Sequence, residues 1–176
     1  MTSNTTSSPP VRVIRSSKRT KTVSARLVRG VIEVRVPARL SESEIDDHVS
    51  DLSAKLVRKL NAENIDLTER AFSLAEQHDL PEPTNIRWAH NQNHRWGSAT
   101  PADGSIRISS HLSSAPAWVL DYVIVHELAH LVIDGHGPEF VALEARYAQS
   151  ERAEAYLAGY EAGRNGWTGT DSDASS

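Results

Sequence analysis

The chain contains no cysteine, and its single methionine is Met1. The absence of cysteine excludes disulfides, cysteine-based zinc fingers and thiol catalysis, and it suits a reducing compartment. No apolar run approaches the length needed to cross a bilayer, because Asp121, His126 and Glu127 interrupt the longest one. The opening residues, MTSNTTSSPP, lack the basic and apolar regions of a secretory signal. We therefore expect a soluble, cytoplasmic protein that does not engage a membrane.

The length of 176 residues suits one domain with a substantial core. Small polar residues dominate 1–9 and 166–176. Such a composition cannot bury enough apolar surface to fold, so it predicts a disordered tail at each end. We expect a single domain over residues 10–165. The oligomeric state is left open by the sequence.

The net charge of −4 conceals a basic N-terminal part. Residues 1–40 contain nine lysines and arginines against a single acidic residue, Glu33. A segment of this kind could contact nucleic acid or an acidic partner. However, no aromatic residue is interleaved with these charges to stack on bases. We therefore favour the alternative that the charges keep exposed strand faces soluble.

Strand and helix signals alternate along the first half of the chain. Apolar and polar residues alternate, as in half-buried strands, over 11–15, 22–28 and 31–37. Arg29-Gly30 is a plausible hairpin turn between the last two. Ser41 and Glu44 have the spacing of a capping box and predict a helix that extends to about residue 60. A second helix is predicted over 67–79.

The second half of the chain repeats this order of strands followed by helices. Three more strands are predicted over 85–90, 95–100 and 105–109, and three helices over about 116–134, 138–148 and 151–163. This order predicts an α+β fold rather than an alternating α/β fold. In this interpretation, N-terminal antiparallel strands and helices precede a small mixed or antiparallel sheet, and the C-terminal helices carry the active site.

The most informative segment is the HELAH sequence at residues 126–130. On a helix, His126 and His130 project from one face about one turn apart, so their imidazoles could hold one zinc ion. Glu127 would then lie within reach of a zinc-bound water, for which it could act as a general base. Apolar residues on both sides predict a buried helix, in which these polar side chains need partners. A structural metal or a plain core helix are the alternatives to a catalytic zinc.

His136 is the favoured third ligand. Its offset from His126 is that of the last histidine in the metzincin pattern, but Ile133 replaces the glycine of that pattern, and no methionine is available for a Met-turn. Gly135 suits a left-handed residue at the helix end, after which the chain could fold back towards the metal. Downstream glutamates are the rival third ligands, namely Glu144, Glu151 and Glu154.

Several residues near the motif are candidates for binding substrate: Arg95, Trp96, Gly97, Ser98 and Tyr122. A strand at 96–98 that lies at a sheet edge could pair with an extended substrate backbone. Arg95, His94 and Tyr122 are candidate donors to the oxyanion. Asp121 and Asp134 are candidate hydrogen-bond partners of the ligating histidines.

The chain resembles the YgjP-like metallopeptidases, a zincin family related to the SprT-like proteins. The resemblance is carried by the Arg95-Trp96-Gly97-Ser98 segment and by the sequence LDYVIV at 120–125, which directly precedes HELAH. Weaker matches lie near the N-terminus, and His136 with Phe140 completes the layout. One departure is Ala99, where relatives often have cysteine. The resemblance implies a zincin-like fold, with His126, His130 and His136 as zinc ligands and Glu127 as the catalytic residue.

We therefore expect a zinc-dependent metallopeptidase with one Zn²⁺ per chain, which hydrolyses protein or peptide substrates through a zinc-bound water activated by Glu127. One alternative is a DNA-associated protease of the SprT kind that uses the basic N-terminal strands. Another is a non-catalytic metal-binding module. The natural substrate and its cleavage preference do not follow from the sequence.

Overall fold

The computed structural model describes residues 9–92 and 95–164. The chain divides into two compact units, one up to Ile65 and one from Asp66 onward. The predicted tail at 166–176 and nearly all of the one at 1–9 lie outside the described residues. A single domain over 10–165 stays a prediction.

The first unit contains a three-stranded sheet with the strand order β1-β3-β2. Its strands are β1 (Val11–Ser16), β2 (Ser24–Val28) and β3 (Val31–Pro37). β2 and β3 form an antiparallel hairpin whose turn residues, Arg29 and Gly30, have φ values of +52° and +79°. β1 pairs parallel to β3, so the prediction of antiparallel strands was wrong for this pair. The connection over 17–23 joins β1 to β2 across the position of β3, a distance of two strand spacings or about 10 Å, which seven residues can span. β3 can therefore occupy the centre of the sheet.

Helix α1 (Glu42–Glu63) follows the sheet. The predicted capping box is present, because the Ser41 hydroxyl accepts from the Glu44 N–H and the Glu44 carboxylate accepts from the Ser41 N–H. The helix continues three residues beyond its predicted end. The core of the unit is a cluster of Ile32, Val34, Val36 and Ile45, with further apolar residues of α1 packed against it.

Arginine side chains surround Glu33 in the same unit. Arg12 and Arg26 donate to its carboxylate, and Arg35 Nη2 lies 3.7 Å from Glu33 Oε2. These hydrogen bonds from Arg12 and Arg26 hold the pKa of Glu33 below its ordinary value. Part of the basic N-terminal charge is therefore neutralised locally.

The second unit begins with helix α2 (Leu67–His78) and contains a second mixed sheet. Its strands are β4 (Asn85–Ala89), β5 (Gly97–Thr100) and β6 (Ser105–Ser109), in the order β4-β6-β5. β4 is parallel to β6, and β5 is antiparallel to it. β5 is therefore an edge strand within the described part of the chain. A 3₁₀ helix at Ser110–Ser114 follows β6.

Three helices complete the second unit: α3 (Ala117–Ala129), α4 (Pro138–Glu144) and α5 (Ser150–Arg164). The prediction that the first of them reaches Asp134 was wrong. Leu131 N–H and Val132 N–H donate to the carbonyls three residues back, so the last turn tightens and the helix ends. α4 is also shorter than the predicted 138–148, because Arg146 and Tyr147 make similar tight turns.

Helix α3 is the centre of the second unit. Nine of its side chains are buried, and it contacts α2, α4, α5, β5 and β6. Burial on all sides explains why the helix is apolar nearly all round, as its sequence predicted. The α+β class is confirmed, with two small mixed sheets and five α-helices among the described residues. None of the described helices has the length and apolar character needed to cross a membrane.

Candidate metal centre

The imidazoles of His126, His130 and His136 converge on one point. His130 Nε2 lies 3.2 Å from His126 Nε2 and 3.2 Å from His136 Nε2. One ligand atom from each of the three residues lies within 4.8 Å of the others. His126 and His130 project from consecutive turns at the end of α3, as their spacing predicted.

The early end of α3 brings His136 to the other two histidines. His130 is the C-cap of α3, and the chain then turns through Gly135, which has a φ of +78°. This left-handed conformation favours glycine and was predicted at this position. The turn also provides a partner for His130, whose Nδ1 lies 3.2 Å from the carbonyl oxygen of Ile133.

A carboxylate fixes the opposite side of the His126 ring. Glu144 Oε1 lies 2.6 Å from His126 Nδ1, and the Tyr122 hydroxyl donates to the same oxygen over 2.7 Å. Burial acts to raise the pKa of Glu144, but the hydrogen bonds from His126 and Tyr122 outweigh it, so this pKa is lowered from its ordinary value. Burial also raises the pKa of Tyr122, whose phenol therefore stays a hydrogen-bond donor.

Phe140 packs against all three imidazoles. Its ring is stacked on His130 at a centroid distance of 4.3 Å and meets His126 and His136 edge-on at 4.9 and 4.8 Å. Phe140 is fully buried at the start of α4. It therefore supplies an apolar floor that restricts the orientation of the three rings.

The donor set fits a zinc ion. Carboxylate and carbonyl oxygens accept hydrogen bonds, so the Nδ1 atoms of His126 and His130 are the donors, and in the tautomer that binds a metal their Nε2 atoms present lone pairs. In that tautomer the two Nε2 lone pairs face each other at 3.2 Å, an arrangement that a cation between them would stabilise. In tetrahedral zinc sites, Zn–N distances of about 2.0–2.1 Å separate the ligand nitrogens by about 3.3–3.4 Å. The observed spacing matches this value.

Glu127 lies beside the histidines, and 5% of its surface is exposed. Burial raises its pKa to about 7, while His126, the backbone N–H of Ala99 and Arg95 act to lower it. The hydrogen bond from Ala99 connects the side chain to strand β5. Gly97, on the same strand, allows the close approach, because a Cβ there would lie 2.7 Å from Glu127 Cγ.

A cleft of about 680 Å³ opens next to Glu127 and the three histidines. One wall is formed by residues 95–99 and Pro101, and a second by α3 and the turn that follows it. The third wall is one face of α5, with the side chains of Glu154, Leu157, Ala158 and Glu161. The edge of β5 thus borders the cleft directly above the candidate general base.

All five predicted substrate-binding residues line this cleft: Arg95, Trp96, Gly97, Ser98 and Tyr122. Arg95 is exposed, and Trp96 packs edge-on against Tyr160 of α5. The Ser98 hydroxyl accepts from Gln92 Nε2. The Tyr122 hydroxyl lies between Glu144 and Glu154. His94, the remaining candidate oxyanion donor, lies outside the described residues.

The Nδ1 partners of His126 and His130 are Glu144 and the Ile133 carbonyl, and not the predicted Asp121 and Asp134. Asp121 is paired with Arg70 of α2, whose Nη2 lies 2.9 Å from Asp121 Oδ2. Asp134 is exposed and lines the cleft. Of the rival third ligands, Glu144 lies behind His126, and Glu154 Oε1 is 3.1 Å from the Tyr122 hydroxyl. Glu151 is exposed in the first turn of α5 and is absent from the described cleft lining.

Besides the contacts of Glu144 with His126 and Tyr122, three features of the site were not predicted from the sequence. These are the hydrogen bond from Ala99 to Glu127, the packing of Phe140 beneath the rings, and the cleft-facing side of α5. The last had a signal, because Glu154, Leu157, Ala158 and Glu161 have the i, i+3, i+4, i+7 spacing of one helix face. The first two depend on tertiary contacts for which the sequence gives no local pattern.

A family model described as a YgjP-like metallopeptidase domain matches residues 62–157. No curated protein matches the chain. Among solved structures, the chain is similar to the metallopeptidase zymogen of Methanocaldococcus jannaschii, jannalysin, in its crystal structure. That similarity has 18% sequence identity and a TM-score of 0.48, and it covers 55% of this chain and 97% of the other.

The matched segment contains every element around the cleft, from α2 to the middle of α5. It includes the three converging histidines, Glu127 and the strand that borders them. Because the match covers more than half of the sequence, the chain belongs to the YgjP-like metallopeptidase family.

Proposed function

We propose that this protein is a zinc-dependent metallopeptidase in which Glu127 activates the attacking water. The observation that carries the proposal is the convergence of three imidazoles beside a buried glutamate, with His130 Nε2 lying 3.2 Å from the Nε2 atoms of both His126 and His136. His126, His130 and His136 would hold one Zn²⁺ per chain. Three protein ligands leave the fourth tetrahedral position open, which distinguishes catalytic zinc sites from structural ones.

The bound zinc ion would lower the pKa of a water towards neutrality and share the negative charge that develops on the substrate oxygen. Glu127 takes the proton of the attacking water and returns it to the leaving amine nitrogen. The Ala99 N–H holds the Glu127 carboxylate in place for both transfers. Arg95 is our candidate for the additional oxyanion donor, since it lines the cleft and the Tyr122 hydroxyl already donates to Glu144.

The proposed substrate is an extended segment of a protein or peptide. β5 is an edge strand in the described sheet, and its Ala99 N–H points away from β6 towards Glu127. A substrate backbone that pairs with this edge would carry its scissile bond past Glu127. The cleft is open and is long enough to be bordered by residues from Arg95 to Pro101.

Two expectations accompany this proposal. The absence of cysteine suits a reducing compartment, and we propose a cytoplasmic location on that ground. We also expect no nucleic-acid partner. Glu33 pairs with Arg12 and Arg26, so part of the basic N-terminal charge is already neutralised and less of it is available to phosphates. Filter binding over a salt series would test the DNA-associated alternative, since phosphate contacts produce a steep salt dependence. A flat, weak response would exclude it.

The decisive experiment measures hydrolysis of an unfolded protein substrate together with metal content. We expect zinc to copurify with the protein at one ion per chain, and activity to disappear with chelator and return with Zn²⁺. Glu127→Gln should retain zinc and lose hydrolysis by several orders of magnitude. Glu139→Gln, an exposed glutamate on α4, is the matched control. Full activity in Glu127→Gln would refute the general-base role. Hydrolysis by protein that contains no zinc would refute the claim that the activity depends on zinc.

A further inference from the structure

We infer that Glu144 is a positioning residue of the metal centre, which holds His126 with its Nε2 directed at the ion. This inference rests on the proposed function, because it concerns how the same site binds its metal. Glu144 lies 18 residues after His126 in the chain and at the end of α4. Nothing in the HELAH pattern itself specifies such a partner.

The geometry excludes Glu144 as a ligand in this arrangement. Its Oε1 contacts the Nδ1 of His126, whereas the Nε2 of the same ring faces His130. These two nitrogens lie on opposite sides of the imidazole, so the carboxylate and the proposed ion are separated by the ring. Glu144 therefore acts through His126 instead of competing with it.

Tyr122 fixes the carboxylate from the same helix that presents His126. Tyr122 and His126 are one turn apart on α3, and both donate to the single oxygen Glu144 Oε1, over 2.7 and 2.6 Å. Two donors on one rigid helix determine where the oxygen lies. The side chain of Glu144 is 12% exposed, so little water competes for it.

The charge of this partner distinguishes His126 from His130. The Nδ1 of His130 faces the neutral carbonyl of Ile133 at 3.2 Å, whereas His126 faces an anionic carboxylate at a shorter distance. A carboxylate behind an imidazole fixes its tautomer and raises the basicity of the ligating nitrogen. Of the two helix ligands, His126 therefore binds the ion more strongly than His130, because its Nδ1 faces the Glu144 carboxylate.

The test measures the affinity for zinc alone, by competition with a chromophoric chelator, for the full-length protein. Loss of such a carboxylate typically weakens metal binding by about 10- to 100-fold. We expect a decrease in this range for Glu144→Gln and a smaller decrease for Tyr122→Phe. Glu139→Gln lies on the same helix but is exposed, and its affinity should be unchanged.

Imidazole NMR provides the readout that a merely structural role would not change. In the zinc-loaded protein, the Nδ1 proton of His126 should resonate far downfield, and it should shift upfield in Glu144→Gln. Circular dichroism of the metal-free variants controls for folding. If Glu144→Gln does not fold, Tyr122→Phe carries the test, because it retains the carboxylate and loses one donor.

The inference is overturned if folded Glu144→Gln binds zinc within twofold of the wild type, or if the His126 proton does not move. It is also overturned if the wild type binds no zinc, and the proposed function fails with it. A wild type that binds zinc but hydrolyses no substrate would refute the proposed function alone, because the role of Glu144 is decided by affinity and spectrum.

Discussion

The main chain of Gly97 lies against the side chain of Glu127. A Cβ added at residue 97 would lie 2.7 Å from Cγ and 2.8 Å from Cδ of Glu127. Carbon atoms in ordinary contact are about 3.5–4.0 Å apart, so the glutamate would have to move. Strand β5 and helix α3 therefore approach this closely because residue 97 has no side chain. The hydrogen bond from Ala99 to the same carboxylate depends on this approach.

Gly97→Ala should thus displace Glu127 without removing it. A misplacement of about 1 Å can reduce the rate about 100-fold, and we expect a loss of that order in kcat. Zinc affinity should stay close to that of the wild type, because the three atoms nearest to the new methyl group all belong to Glu127 and none to a histidine. Thr100→Ala, an exposed position at the end of β5, is the control. Full activity in Gly97→Ala would show that Glu127 need not occupy its present position.

The sequence predicted the parts of the site that depend on local geometry. The spacing of His126 and His130 specifies their common face on a helix, and Gly135 marks the turn that returns His136 to them. The early end of α3 was not predicted, because the apolar pattern continues through Leu131–Ile133, past the point where i−3 hydrogen bonds from Leu131 and Val132 interrupt the i−4 series. Periodicity reports which side chains are buried, and it does not report where backbone hydrogen bonds change from i−4 to i−3.

Contacts between distant residues were harder to predict. Glu144 was expected to be a ligand or a solvated residue, and its actual partners, His126 and Tyr122, are 18 and 22 positions away. The parallel pairing of β1 with β3 likewise depends on which strand occupies the centre of the sheet, which alternation alone does not specify. Such features arise from tertiary packing, for which one sequence has no repeating signal.

His136→Ala tests which residue supplies the third ligand. If His136 completes the proposed site, its removal should reduce zinc affinity by at least 100-fold, since two imidazoles then remain. Glu151→Gln, at the rival glutamate on α5, should leave the affinity unchanged, because Glu151 is exposed and does not line the described cleft. Competition with a chelator measures both values. The opposite pattern, with a strong effect of Glu151→Gln only, would move the third ligand to α5.

Asp121→Asn should lower the free energy of unfolding and leave the affinity for zinc unchanged. Asp121 accepts from Arg70 through both carboxylate oxygens and joins α3 to α2, and the two side chains are 20% and 32% exposed. Loss of a hydrogen bond to a charged group costs about 1–3 kcal/mol, and we expect the lower half of that range for this partly exposed pair. Urea unfolding of the metal-free protein measures the change. A large decrease in zinc affinity would instead connect Asp121 to the histidines.

Glu33 should make the stability of the chain depend on pH in the acid range. The pKa of Glu33 is lowered by hydrogen bonds from Arg12 and Arg26 in the folded chain, relative to an ordinary value of 4.5. The folded state therefore binds the Glu33 proton more weakly than the unfolded state. The resulting stabilisation is fully present above the ordinary pKa and is lost as the pH falls through the lowered one.

Glu33→Gln removes this charge at every pH. The variant should accordingly unfold at a lower temperature than the wild type at pH 7, and the difference should shrink steadily below about pH 4.5, where the wild-type carboxylate itself becomes protonated. Thermal unfolding followed by circular dichroism over a pH series measures it. Glu63→Gln is the control, because that exposed carboxylate lies 4.0 Å from Lys59 and should contribute little at any pH. A difference between Glu33→Gln and the wild type that stays constant down to pH 2 would mean that Glu33 contributes through packing, and that its charge and the surrounding arginines are irrelevant to stability.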